Sequence, residues 1–161
     1  MADAVAVFSV QTKKPMIMRN IKYIFVHCTG GNQRQTVNGL LHFFRVEKGW
    51  RAPGYHYVVS ADGTTTQLLD EGRVSNGVKG YNQVSINVAW FGGLSGVDNR
   101  TPAQKKSLRD LLKKLHARYP KAKIMGHRDI SPDINHNGIV DPWERIKDCP
   151  CFDAKIEYAD I

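Results

Sequence analysis

Residues 21–28 read IKYIFVHC, Ile21 to Cys28, and the fold turns on this stretch. Its β-branched and aromatic content is that of a β-strand. A period of two sends Ile21, Tyr23, Phe25 and His27 to one face and Ile24, Val26 and Cys28 to the other. TGGN at 29–32 then stops the strand, which leaves His27 at a strand end where the chain turns into a loop.

Working outward, segments of strand and helix character alternate. TVNGLLHFFRVEKGW (36–50) is expected to be helical, with Thr36 as N-cap and Val37, Leu40, Leu41 and Phe44 near helical spacing; Gly49 is placed to stop it. YHYVVSADGTTTQLL (55–69) is a hairpin around Asp62-Gly63. SINVAWFGG (85–93) is apolar nearly throughout and is expected to be a central strand. TPAQKKSLRDLLKKLHARYP (101–120) has Thr101 as N-cap, Pro102 in the first turn and Gln104 to close a capping box, with Leu108, Leu111, Leu112 and Leu115 as its core stripe. AKIMGH (122–127) is a last short strand. Residues 1–20 have no clear period and read as an arm or an edge strand. The alternation predicts one α/β domain over 1–161, a mixed central sheet flanked by helices.

The chain has 161 residues, enough for one self-sufficient core. Hydrophobic residues are 42% and charged residues 24%, ordinary for a soluble globular protein. No apolar run reaches the length of a membrane span, so no membrane partner is expected. The N-terminus lacks the parts of a secretion signal, so synthesis in the cytoplasm is expected, or a periplasmic location if a signal was removed. Net charge is +8, from 23 basic and 15 acidic residues. That suits a polyanion such as a bacterial wall polymer, or is simply a solubilising surface. The basic residues are dispersed and no stacking motif accompanies them, so no nucleic acid partner is expected.

Three cysteines, Cys28, Cys149 and Cys151, are too few for a disulfide framework, and an odd count leaves at least one thiol free. HRDISPDINHNGIVDPWERIKDCPCFD (127–153) concentrates a histidine, two cysteines and many oxygen-bearing side chains. It reads as a zinc site, a calcium loop or a surface turn with a disulfide. Catalytic zinc takes three protein ligands and keeps a fourth position for water. His27 and His127 both end strands, and Cys149 from the following loop would complete a His/His/Cys set. The competing reading of each histidine is a hydrogen-bonded structural residue.

The ordered segments FVHCTG, GYHYVVSADGT, KGYNQVSINVAWFGG, TPAQKKSLRDLL, GHRDISP and KDCPCFD resemble the zinc-dependent, phage-lysozyme-type N-acetylmuramoyl-L-alanine amidases, whose fold the peptidoglycan recognition proteins share. The resemblance spans about residues 20–153. It implies zinc on His27, His127 and Cys149, with Cys149 rather than Cys151 as the sulfur ligand. It implies catalytic roles for Tyr55, after the Gly of GYH, and Lys147, two residues before the ligand cysteine. It implies hydrolysis of the amide between N-acetylmuramic acid and L-alanine in peptidoglycan, by an endolysin-like enzyme expected to be a monomer. The alternatives are a non-catalytic peptidoglycan-binding module and a regulator that uses the fold as a protein scaffold. Cys28 and His56 are expected to face away from the site, and His42, His116 and His136 have no supporting pattern.

Two departures stand out. Asn76 occupies the place of a histidine found before KGYN in many relatives. An insert, DINHNGIVDPWERI at 133–146, lies within the 131–146 loop. It matches a calcium loop, with Asp133, Asn135, Asn137, Gly138 and Glu144 in register, Asp141 at the ninth position and Ile139 offering its carbonyl. The competing reading is an Asn/Gly turn in which Asp141 caps a short PWERI helix.

Overall fold

The computed structural model describes residues 18–161. The arm expected over 1–20 therefore lies almost wholly outside the described residues, and 18–20 are not in a strand. Among the described residues, five strands form one sheet: β1 (Tyr23–Cys28), β2 (Tyr57–Val59), β3 (Thr65–Gln67), β4 (Ser85–Trp90) and β5 (Lys123–Gly126). Their order is β3-β2-β4-β1-β5. All neighbours are parallel except the β2–β3 hairpin, so the sheet is mixed as expected. β4 is in the middle and buried along its whole length, which is why SINVAW carries no polar/apolar alternation.

One sheet face packs on α2 (Pro102–Arg118). There Ile24, Val26 and Cys28 of β1 and Ile86, Val88 and Trp90 of β4 meet Leu108, Leu111, Leu112 and Leu115. The capping box forms as read: the Thr101 side chain accepts from Gln104 N–H at 3.0 Å, and Gln104 Oε1 accepts from Thr101 N–H at 3.0 Å. The opposite face carries Val58, Ala89 and Phe91 under Leu40 and Phe44. Ile21 departs from the alternation read above. It precedes β1 and joins the α2-side core, because pairing with β4 and β5 begins only at Tyr23.

The first helix is shorter and less regular than its sequence suggests. α1 covers Val37–His42, with the Thr36 side chain accepting from Gly39 N–H, and the chain then widens into a π-turn over Phe43–Glu47. Lys48 N–H reaches back to Phe43 O at 3.0 Å, and Gly49 leaves the helix at φ +66. The widened turn stacks Phe44 on Trp50, ring centroids 5.5 Å apart, beside the opening described below. A short α3 (Ala154–Glu157) closes the described chain against β5.

Within the 131–146 insert the only regular element is a 3-10 turn at Pro142–Glu144. Among the described residues no helix is long and apolar enough to cross a membrane.

Candidate metal centre and active-site cleft

β1 and β5 are parallel neighbours, with Val26 opposite Gly126 in register. The next residue of each chain is a histidine, so both imidazoles leave the sheet at the same rim. Their ring centroids are 4.9 Å apart and nearly perpendicular. Cys149 arrives from the C-terminal loop, which is tied down by Arg128 N–H donating to Cys149 O at 2.8 Å. The Cys149 Sγ lies 3.6 Å from His27 Nδ1 and accepts from Cys28 N–H at 3.3 Å. One donor atom each from His27, His127 and Cys149 lies within 4.8 Å of the others, and among the described residues this is the one such group of His, Cys, Asp or Glu.

The donor set can be tested against zinc. Tetrahedral zinc with nitrogen at ~2.0 Å and sulfur at ~2.3 Å separates a nitrogen and a sulfur ligand by about 3.6 Å. The His27–Cys149 distance matches that separation. Two imidazoles and one thiol make three protein donors, the number an open zinc site takes rather than the four of a closed structural one.

Both imidazoles are held neutral. Burial pushes His27 down to about 4; the Asn87 hydrogen bond opposes this and the Lys147 charge adds to it. Burial also lowers His127 to about 3, with further contributions from His27 and Lys147. His56, buried on the far side of β4 from α2, is pushed down to about 4, first by burial. A histidine whose folded pKa lies below its unfolded value of 6.5 binds fewer protons folded than unfolded between the two values. Stability therefore falls as pH drops below about 6.5 and levels off near 3. Denaturant titrations of the metal-free protein across that range check this; a flat profile would show that these imidazoles are not buried neutral.

The three donors open into a cleft of about 430 Å³. Tyr55 forms one wall. Its ring centroid is 5.1 Å from His27 and 5.4 Å from Phe44, and its hydroxyl donates to Cys28 O at 3.4 Å. Burial, reinforced by the neighbouring Cys149 and Cys28, raises this hydroxyl above its ordinary value, so it stays protonated and can donate. Lys147 and Asp148 lie at the opening, and Lys147 makes no ion pair among the described residues. Thus the five residues read as site residues, Tyr55, Lys147, His27, His127 and Cys149, all line one cleft.

Other residues have settled places. Asn76 lines the cleft and donates from Nδ2 to Ala52 O at 2.8 Å. Cys28 and Cys151 are in thiol contact, Sγ atoms 3.4 Å apart, and all three cysteines are free, so the disulfide turn does not form. His56 lies outside the cleft, accepting at Nδ1 from Asn87 N–H and facing Arg73 O with Nε2. Asn87 and the aromatic wall of Phe43, Phe44 and Trp50 join the site beyond the five residues expected there. Asn87 carried a signal: it is an amide inside an otherwise apolar central strand. In the aromatic wall Phe44 was visible only as part of a helical core stripe, and Phe43 and Trp50 carried no signal.

In the 133–144 loop every carboxylate is engaged by the loop's own donors. Glu144, buried, accepts from the N–H groups of Ile134, Asn135 and Asp141 at 2.7, 3.0 and 2.8 Å. Asp133 accepts from Asn137 and Gly138 N–H. Asp141 takes the side-chain amides of Asn135 and Asn137, both at 2.9 Å, rather than capping the 3-10 turn with its side chain.

The chain also resembles known proteins. The profile of the N-acetylmuramoyl-L-alanine amidase family matches residues 17–150. The endolysin of Escherichia phage T7 is 36% identical over 137 residues, covering 82% of each chain. A Haemophilus influenzae protein is 44% identical over 97 residues, 58% of this chain and 84% of its own. Among solved structures, the Ph2119 endolysin of a Thermus scotoductus bacteriophage superposes with a TM-score of 0.67 at 26% identity, covering 86% of this chain and 84% of that one. With the family profile spanning most of its length, this chain belongs to the N-acetylmuramoyl-L-alanine amidase family.

Proposed function

We propose that the protein is a zinc-dependent enzyme that hydrolyses the amide between N-acetylmuramic acid and L-alanine in bacterial peptidoglycan. The observation that carries the proposal is the convergence of His27, His127 and Cys149 on one open cleft. Zinc held there would supply Lewis acidity and a water with its pKa lowered to about 7. The chain's own residues do the rest. His27 and His127, neutral by burial, offer lone pairs without first losing a proton. Cys28 N–H steadies the Cys149 sulfur. The Lys147 ammonium faces the cleft where negative charge develops on the scissile amide oxygen. The Tyr55 hydroxyl, kept protonated, donates a hydrogen bond to that oxygen or to the attacking water. Phe43, Phe44 and Trp50 give the bound segment an apolar wall.

In this reading the chain is a single domain that works as a monomer, and its +8 charge suits anionic wall polymers rather than nucleic acid. Its setting is phage-type lysis of the bacterial wall, in keeping with relatives that are named endolysins. The test is mass spectrometry of muropeptides digested by the zinc-loaded protein. A free lactyl carboxylate and a new L-alanine amine are expected. Binding to peptidoglycan with no bond cut would instead identify a non-catalytic wall-binding module.

The proposal extends to the insert. Its D-x-N-x-N-G-x5-E spacing supports a calcium ion that replaces the loop's internal N–H donors and stiffens the segment leading to Lys147 and Cys149. Calcium at one hundred times its Kd would add about 2.7 kcal/mol to unfolding free energy. Denaturation of chelator-treated protein with and without calcium measures this, and coincident curves would remove calcium from the proposal.

A further inference from the structure

Asn87 is a polar side chain with no solvent exposure, set in the middle of the central strand. An amide buried there is costly unless its donors and acceptors are satisfied. Asn87 is fully engaged. Its Oδ1 lies 2.7 Å from His27 Nε2. Its Nδ2 donates to Ser75 Oγ at 2.8 Å and to Ser85 Oγ at 3.3 Å. Its backbone N–H donates to His56 Nδ1 at 3.0 Å, and its carbonyl accepts from His56 N–H at 2.8 Å. Register explains the reach. His27 pairs with Ala89 and Phe25 with Asn87, so Asn87 shares the sheet face of His27, one diagonal step away.

We propose that Asn87 is the positioning residue for the metal centre: it locks His27 in the Nε2–H tautomer and so presents the Nδ1 lone pair to the ion. The inference rests on the zinc reading above, and its logic is one of hydrogen-bond direction. Two buried serine oxygens take the amide N–H groups, which turns Oδ1 toward His27. An oxygen acceptor at 2.7 Å requires a proton on Nε2. The other ring nitrogen is then unprotonated, and it is the one 3.6 Å from Cys149 Sγ. Gly77 holds the amide in place. A Cβ at Gly77 would lie 2.3–2.7 Å from the Asn87 side-chain atoms, so the backbone there packs directly on the amide and resists its rotation. Accepting the hydrogen bond from Nε2–H also makes the imidazole a better ligand, and losing such a partner typically weakens metal affinity about 10- to 100-fold.

The test uses zinc affinity by chelator competition and the tautomer itself. Asn87→Leu keeps the volume and removes the acceptor; its zinc Kd is expected to rise about 10- to 100-fold. Asn87→Asp keeps an acceptor facing Nε2, lets both serine hydroxyls donate to its other oxygen, and is expected to restore most of the affinity. A purely structural role would lower the stability of the metal-free variants and leave zinc Kd unchanged. A folded Asn87→Leu that binds zinc like wild type overturns the proposal. Long-range proton–nitrogen NMR on the metal-free wild-type protein needs no variant to fold: an Nε2–H imidazole at His27 supports the assignment, and Nδ1–H overturns it. Wild-type protein that takes up no zinc would sink the metal reading instead, while the tautomer measurement would still decide the role of Asn87.

Discussion

Replacing Cys149 by serine is expected to abolish stoichiometric zinc binding and to lower kcat/KM by about a thousandfold or more. The reason lies in the ligand chemistry. A thiolate brings charge and a soft donor to zinc, whereas a serine hydroxyl brings neither at neutral pH. Two buried, neutral imidazoles alone do not hold the ion against solvent. With the metal goes the water activation that makes amide hydrolysis feasible at neutral pH. The fold should survive, because the Cys28 N–H that bonds the sulfur at 3.3 Å can bond the smaller oxygen, and the Arg128–Cys149 backbone bond is untouched. Metal analysis, circular dichroism and muropeptide turnover on the same sample give the answer. Cys151→Ser is the control, expected to keep its zinc, since that sulfur faces Cys28 and Gly93 rather than the imidazoles. Full zinc content and activity in Cys149→Ser would end the metalloenzyme reading.

Lys147→Ala should lower kcat by about 10²- to 10³-fold with little change in KM, the cost typical of removing one group that stabilises an oxyanion. The lysine is exposed at the cleft mouth and free of any ion pair among the described residues, so its ammonium is not committed elsewhere. Removing it also removes a positive charge that lowers both imidazoles. They will titrate at somewhat higher pH. Burial is the larger cause in each, so both remain neutral and zinc stays bound at neutral pH. The variant thus separates turnover from metal retention. Lys147→Arg, which restores the charge at altered reach, should recover part of the rate. Unchanged kcat in Lys147→Ala would make the residue an ordinary solvated loop lysine.

Particular elements show how far the sequence could be read. IKYIFVHC and SINVAWFGG were legible as strands, and the second as a central one, because period and burial are local imprints of sheet position. The Thr101/Gln104 capping box was legible because it is closed within one helical turn. The hairpin around Asp62-Gly63 was legible in place but overlong in extent. Its strands shrink to three residues each, since β2 is limited by its pairing with β4. The first helix was legible at its start, where Thr36 caps α1, but not in the geometry of its second half. An apolar stripe at helical spacing does not distinguish an α-helix from one that opens into a π-turn at Phe43, and contact with Trp50 and Tyr55 favours the latter. The short PWERI helix of the competing reading is a single 3-10 turn, which ends at Arg145 where the backbone becomes extended.

The amino-acid sequence alone established the order and kind of the main elements, that they would build a mixed α/β sheet, and which residue types could serve a metal. Those properties depend on neighbours a few positions apart, so they are written in local pattern. Only the tertiary structure decided that β5 lies beside β1 in matching register, which brings residues 27 and 127 to one rim. Only it turned the Asn87 amide toward His27 and set the Cys149 sulfur over the remaining ring nitrogen. Strand order and side-chain direction follow from packing both faces of one sheet at once, a constraint that spans the chain and leaves no periodic trace along it.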